Sequence, residues 1–238
     1  MTTQVLNRIP AFLIAFTLLA SGCNPPGKPT PPQTSGRPEA VTDFNVLYAA
    51  HCAGCHGTDG TLGPAPPLND PLFLKIVPDT ELVRVVTEGR AGTSMAAFDQ
   101  KKGGPLTTAQ VKVLAEGLKT KWGKPGGPTD VPGYLLTPGG NVEDGAMMFA
   151  MACASCHGDK GQGGKSGELR VGAINDPAFL ALSSNQVLRR FIITGRPDLG
   201  MPNFTEKTNR PHNFSTLTAK DVADLTSLLN SWRSPATK

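Results

Sequence analysis

The sequence is poor in aromatic residues and has no concentrated block of positive charge. Phenylalanine, tyrosine and tryptophan together make up 6% of the 238 residues, whereas glycine and proline number 27 and 22. Abundant glycine and proline indicate long loops or linkers, and few large side chains suit small domains whose core is completed by a bound apolar group. The net charge of +4 is not gathered into a run of lysine and arginine, so nothing in the sequence supports nucleic-acid binding.

The sequence also lacks an apolar run long enough to cross a bilayer. The apolar stretch at residues 9–20 covers 12 residues, whereas a membrane-spanning helix needs about 20. This stretch follows Arg8 and leads into Ser-Gly-Cys23, so residues 1–22 are predicted to be an export signal peptide. The small residues before Cys23 resemble the cleavage site of bacterial lipoprotein signals, which predicts that Cys23 is lipidated. The alternative is an ordinary secretory signal followed by an incidental cysteine.

A proline-rich segment follows the predicted cleavage site. Residues 23–40 contain the sequence "NPPGKPTPPQTSGRPEA" and no apolar periodicity. Such a composition is typical of a flexible tether. A lipid on Cys23 and this tether together predict a folded head held near the periplasmic side of a bacterial membrane.

Cysteine is scarce, and its spacing is informative. Beyond Cys23, the four remaining cysteines form two C-x-x-C-H motifs, Cys52-Ala-Gly-Cys55-His56 and Cys153-Ala-Ser-Cys156-His157. A structural zinc site needs four ligands, and no fourth cysteine or histidine recurs beside both motifs. A thioredoxin-like redox pair is expected next to a βαβ pattern, which the sequence lacks. A histidine directly after the second cysteine indicates covalent haem attachment.

The two motifs lie within a tandem duplication. The segment "FNVLYAAHCAGCHG" aligns with "GAMMFAMACASCHG" at an offset of 101 residues, and "PLNDPLFL" aligns with "AINDPAFL" at 106. The offset later grows to 111, which indicates two insertions of about five residues in the second copy. We predict two domains, residues 41–122 and 142–234, joined by a linker at 123–141. Apolar residues at helical spacing predict an all-α fold, with Thr107 or Thr108 and Thr218 capping the last helix of each domain.

Each half resembles a class I cytochrome c domain. The resemblance implies a small helical domain wrapped around one haem, so two covalently attached haem c groups in all, bound through both thioethers and with His56 or His157 on the iron. It implies a methionine as the sixth ligand, and Met95 and Met201 follow the histidines by 39 and 44 residues. In the same family a Gly-Arg pair contacts the haem propionates, which makes Arg90 and Arg196 candidates; the alternative is that both are solvated surface arginines.

The loops after the two motifs differ in proline content. In this family a proline loop helps to supply the carbonyl that orients the haem histidine, and the first copy offers Pro64, Pro66 and Pro67. The second copy has Val171, Gly172 and Ala173 at the aligned positions. We therefore expect the two histidines to be held differently and the two haems to have different potentials.

The resemblance implies electron transfer rather than catalysis, because His and Met ligands leave no open position on the iron. We expect the chain to carry single electrons between redox partner proteins, as a lipid-anchored subunit of a respiratory or photosynthetic complex. The alternatives are a free-standing tethered shuttle and, with one methionine displaced, a dihaem peroxidase or a gas sensor.

Overall fold

The computed structural model describes residues 37–208 and 210–233. The predicted signal peptide at 1–22, Cys23 and the tether up to residue 36 lie outside the described residues. Within the described ranges, no helix is both long enough and apolar enough to span a membrane.

The described chain is helical, and its ten α-helices occur as two sets of five in the same order. In the first copy they are α1 (Phe44–His51), α2 (Ala53–His56), α3 (Pro71–Ile76), α4 (Asp79–Glu88) and α5 (Thr108–Trp122). In the second copy they are α6 (Val142–Ala152), α7 (Ala154–His157), α8 (Pro177–Leu182), α9 (Asn185–Thr194) and α10 (Ala219–Ser231). The duplication seen in the sequence is therefore repeated in the order of the elements, and the predicted all-α class is confirmed.

Side-chain caps begin corresponding helices in both copies. Thr107 and Thr218 each form a capping box, with Gln110 and Asp221 respectively, so the predicted cap at Thr218 is right and that of α5 is Thr107 rather than Thr108. The short helices α3 and α8 each start at an aspartate N-cap followed by proline. Proline is favoured at the first helical position because no intrahelical partner is lost there.

A two-stranded hairpin departs from the all-α pattern. Strands β1 (Gly164–Ser166) and β2 (Leu169–Val171) pair antiparallel, with Gly164 opposite Val171. The hairpin lies in the first insertion of the second copy. It is too short for an alternating apolar pattern to reveal it in the sequence.

The first and last long helices of each copy pack through an aromatic pair. The rings of Tyr48 and Trp122 lie 5.1 Å apart at 82°, and those of Phe149 and Trp232 lie 5.2 Å apart at 83°. Each copy has its own apolar core around such a pair. The entering helix is thereby fixed directly before the C-x-x-C-H motif.

The segment predicted as a linker packs against both copies. Tyr134 is buried in the core of the first copy, and its carbonyl accepts a hydrogen bond from Gln186 of the second copy at 2.5 Å. Arg189 donates to the Gly133 carbonyl from Nε and Nη2, at 2.9 and 2.7 Å. The two copies are thus joined by a folded segment.

Candidate haem sites

Each C-x-x-C-H motif occupies a single helical turn. The chain leaves α1 at His51, and the amide of His56 then donates to the Cys52 carbonyl at 3.0 Å. The second motif repeats this bond, from His157 to Cys153, at 3.0 Å. Residues three and four positions apart lie on one face of a helix, so both cysteines and the histidine of each motif face the same side.

The first cysteine of each motif is held in the protonated form. Burial raises the pKa of Cys52 and of Cys153 to about 11. Disulfide exchange and zinc binding both use the thiolate, which these environments disfavour. A thioether carries no charge, so covalent attachment to an apolar group fits these half-buried positions. Among the described residues, no three histidine, cysteine, aspartate or glutamate side chains converge as a metal site.

His56 is oriented by the proline-rich loop. Its Nδ1 lies 2.8 Å from the Pro66 carbonyl oxygen, and since a carbonyl only accepts, Nδ1 carries the proton and donates. Nε2 is then the free acceptor, the arrangement found in metal-bound histidines. Burial lowers the pKa of His56, the Pro66 bond opposes this, and the charges of Arg190 and Arg90 lower it further. The neutral imidazole, which is the form that can bind a metal, is therefore favoured.

His157 lacks this brace. Its Nδ1 is buried and has no hydrogen-bond partner among the described residues. The segment of the second copy that aligns with the proline-rich loop forms part of the hairpin, where Val171 pairs with Gly164. Burial and then the charge of Arg210 lower the pKa of His157. The two histidines are thus held differently, as the proline content of the loops predicts.

The two predicted methionine ligands sit in loops closed in the same way. The Arg90 amide donates to the Met95 carbonyl at 2.8 Å, and the Arg196 amide donates to the Met201 carbonyl at 3.0 Å. The glycines before these arginines have φ angles of +70° and +69°. A Cβ on either glycine would lie 2.4 Å from the methionine carbonyl oxygen. The Gly-Arg pair therefore shapes the loop that presents the methionine.

The arginines of these two pairs have different partners. The Arg90 guanidinium donates to the Tyr134 hydroxyl at 3.2 Å, a neutral partner. The Arg196 guanidinium makes two bonds to Asp198, at 2.9 and 2.7 Å, and the pKa of Asp198 is lowered by this contact. The aligned arginines predicted to serve both haems alike therefore occupy different electrostatic settings.

Two further arginines of the second copy lie near the motifs, and sequence reasoning passed over their role. Arg190 approaches the first copy, where its charge acts on His56. Arg210 lies beside the second motif, where its charge acts on Cys153 and His157. The available signal was that Arg210 stands in a segment that is about five residues longer than its counterpart in the first copy.

The family model described as cytochrome c oxidase, cbb3-type, subunit III matches the chain twice, over residues 39–116 and 140–226. The chain belongs to this family. Each match to the subunit III family encloses one C-x-x-C-H motif and its downstream methionine. Membership confirms the resemblance to c-type cytochromes and implies covalently bound haem c and a role in electron transport.

Curated proteins similar to this chain are also named as subunits of cbb3-type cytochrome c oxidases. The chain is 29% identical over 165 residues to the cbb3-type cytochrome c oxidase subunit FixP of Azorhizobium caulinodans, which covers 66% of this chain and 51% of that protein. It is 28% identical over 135 residues to the subunit CcoP of Azospirillum sp. (strain B510), covering 52% and 41%. The chain spans about half the length of the curated relatives it matches.

One solved structure aligns over most of the chain. It is a chain of the Kuenenia stuttgartiensis reducing HAO-like protein complex Kustc0457/Kustc0458, with a TM-score of 0.48 and 19% identity. The alignment covers 84% of this subunit III family member and all of that chain.

Proposed function

We propose that the chain is a dihaem c-type cytochrome that carries single electrons within a cbb3-type respiratory oxidase. The observation that carries this proposal is the repetition of one complete ligand set. Each copy has a C-x-x-C-H turn, and each has a Gly-Arg loop closed on a methionine carbonyl. The first haem would be held by Cys52, Cys55, His56 and Met95. The second would be held by Cys153, Cys156, His157 and Met201.

The residues present suit electron transfer better than peroxide or oxygen chemistry. When bound, haem iron supplies a one-electron couple, and methionine ligation raises its potential. The chain would supply a neutral histidine and a loop-held methionine to each haem iron, which would leave no ligand position for peroxide or oxygen. The helices around each motif are joined by fixed aromatic packing, which limits rearrangement between oxidation states.

We further propose that Cys23 is lipidated and that residues 23–40 tether the cytochrome to the periplasmic side of a bacterial membrane. The Ser-Gly-Cys23 sequence and the proline-rich tether support this proposal. A lipidated Cys23 would carry a diacylglycerol and an amide-linked acyl chain. Together these would exceed the roughly two lipid or electrostatic signals that stable membrane anchoring needs. The names of the relatives support membership of a respiratory oxidase, and nothing favours a photosynthetic partner.

Haem stoichiometry tests the central proposal. The pyridine haemochrome of the purified full chain should give two haems per polypeptide. The variants Cys52→Ala/Cys55→Ala and Cys153→Ala/Cys156→Ala should each retain one. A single haem in the wild type, or an unchanged count in either variant, would overturn the dihaem assignment.

Association and anchoring need separate measurements. The tagged full chain, solubilised from its native membranes, should co-purify with oxidase subunits and with oxygen-consuming activity. Isolation of the dihaem cytochrome without them would favour a free-standing shuttle. Mass spectrometry of the mature N-terminus should find a lipidated Cys23, and an unmodified N-terminus at another residue would refute the anchor.

A further inference from the structure

Arg210 lies in residues 205–215 of the second copy, a segment that is about five residues longer than its counterpart in the first copy. Its guanidinium carbon lies 4.2 Å from the centre of the Phe214 ring. Its Nη2 donates to the Asn203 carbonyl at 3.1 Å and approaches the Pro202 carbonyl at 3.5 Å. Since Pro202 and Asn203 directly follow Met201, Arg210 is fixed against the loop that presents the predicted ligand.

Two of the three guanidinium nitrogens of Arg210 are left without partners. Nε and Nη1 are buried, and neither has a hydrogen-bond partner among the described residues. Arg196 of the same copy differs, because its guanidinium is neutralised by Asp198 at 2.7 Å. Buried polar nitrogens are normally hydrogen-bonded, so these two unpartnered donors of Arg210 indicate an anionic group that the described residues do not supply.

Arg210 also lies against the apolar cluster on which the C-x-x-C-H turn packs. Phe214, over which the guanidinium lies, is a buried member of this cluster, and Cys153 packs against it. Arg210 therefore contacts the loop that follows Met201 and a cluster that borders the Cys153 turn, the two elements that would hold the second haem.

We propose that Arg210 binds a propionate carboxylate of the haem attached to Cys153 and Cys156. This inference rests on the proposed function, in which the second copy carries a haem. A guanidinium N–H forms a strong, charge-assisted hydrogen bond to a carboxylate, and neither Nε nor Nη1 of Arg210 has another partner among the described residues. Arg210 thus supplies the second haem with the cationic partner that the aligned Arg196, engaged by Asp198, does not offer.

Redox titration of the full-length holoprotein tests the assignment. The redox transition whose midpoint potential shifts in Met201→Ala belongs to the second haem. Arg210→Gln should lower the potential of that haem, because a positive charge near the iron favours the reduced form. We expect the reduced-to-oxidised ratio at fixed potential to change about tenfold, equivalent to about 59 mV for one electron. Arg210→Lys should keep most of the wild-type potential.

The matched control is Arg84→Gln. Arg84 is an exposed arginine of the first copy that pairs with Glu81 and Glu88, so the variant removes the same charge elsewhere. It should leave both potentials close to the wild type. The first haem is an internal control in Arg210→Gln, since its potential should also stay unchanged.

The pH dependence separates carboxylate binding from a structural role. Without Arg210 the propionate pKa rises, and protonation at lower pH removes a negative charge near the iron. The potential of the second haem in Arg210→Gln should then rise as the pH falls, over a range in which the wild type is flat. The titratable groups facing Arg210 are Glu206 on its own segment and Cys153, Cys156 and His157 around the α7 turn. In the proposed holoprotein, Cys153, Cys156 and His157 are bound to the haem, so Glu206 is the one of these groups that could still titrate. The double variant Glu206→Gln/Arg210→Gln should therefore keep the pH dependence of Arg210→Gln.

The assignment is overturned if Arg210→Gln leaves the second potential unchanged, if both potentials move equally, or if adding Glu206→Gln to Arg210→Gln abolishes the pH dependence of that variant. Loss of the second haem in Arg210→Gln but not in Arg210→Lys supports it. If both variants lose that haem, the redox titration of the wild type at several pH values decides. A potential of the second haem that stays constant between about pH 5 and 8 supports the ion pair between Arg210 and the propionate. A tenfold change in the reduced-to-oxidised ratio per pH unit refutes it. A wild-type chain with one haem would instead refute the proposed function.

Discussion

His56 and His157 occupy the same place in their copies, yet Nδ1 of His56 contacts the Pro66 carbonyl at 2.8 Å and Nδ1 of His157 has no partner among the described residues. A histidine ligand that donates from Nδ1 is held in one orientation and is more basic at Nε2. The prolines after the first motif predict this difference from sequence alone. The two proposed haem sites should therefore respond separately to replacement of their predicted methionine ligands.

Replacing the methionines tests this at the residue scale. Met95→Ala should lower the potential of the first haem, and Met201→Ala that of the second, because methionine ligation favours ferrous iron. Each shift should be a sizeable fraction of the roughly 0.8 V range that axial ligands span. Redox titration and the weak red absorption band of Met-ligated ferric haem measure the effect. Met147→Ala, at an exposed residue of α6, is the control. Movement of both potentials in either single variant would contradict two separate ligand sets.

The helices show which elements local sequence signals can predict. The capping boxes at Thr107 and Thr218 begin α5 and α10, and each box is formed by residues within a stretch of four. Such a local pattern can be recognised in the sequence. Helices α3 and α8 have six residues each, which is too few for a periodic apolar pattern. The hairpin depends on a pairing inside an insertion, and the first copy offers no comparison for it.

The Gly-Arg loop allows a prediction at the scale of one element. In Gly89→Ala the new methyl group would meet the Met95 carbonyl oxygen at 2.4 Å, in a backbone with φ of +70°. The control is Gly92→Ala, because Gly92 has φ of +72° but nothing within 4 Å of an added Cβ. Both variants should lose about 1–3 kcal/mol, because a residue with a side chain is strained at positive φ.

Only Gly89→Ala should also displace the methionine loop. It should weaken the red absorption band of the first haem and lower its potential, while Gly92→Ala keeps both. Denaturant unfolding measures the shared loss of stability, and the ferric spectrum measures the difference between the two. Equal spectra for the two variants would show that the close approach at Gly89 does not position Met95.

At the scale of the whole molecule, the second copy supports the loop that orients the first histidine. Arg190 is 5% exposed, its Nη2 donates to the Pro67 carbonyl, and its guanidinium lies 3.5 Å from the centre of the Phe73 ring. It is also 3.8 Å from buried Asp70. Burial lowers the pKa of Arg190 to about 10, with Asp70 opposing the change, so it stays charged at neutral pH. Alignment of the two copies pairs Arg190 with Arg84, which is exposed. Arg190 is buried because the two copies pack together, and the sequence alone does not reveal this difference.

Arg190 belongs to the second copy, yet its removal should lower the stability of the first copy. Arg190→Gln should cost about 2–4 kcal/mol, because Asp70 is left buried without its cation, and should lower the potential of the first haem more than that of the second. Arg84→Gln, which breaks only exposed pairs, should cost less than about 1 kcal/mol. Adding Asp70→Asn, which keeps the helix cap, should recover part of the stability lost in Arg190→Gln. Denaturant unfolding and redox titration of the four proteins measure these effects. Equal losses in the Arg84 and Arg190 variants, or no recovery in the double variant, would show that the buried contact does not couple the two copies.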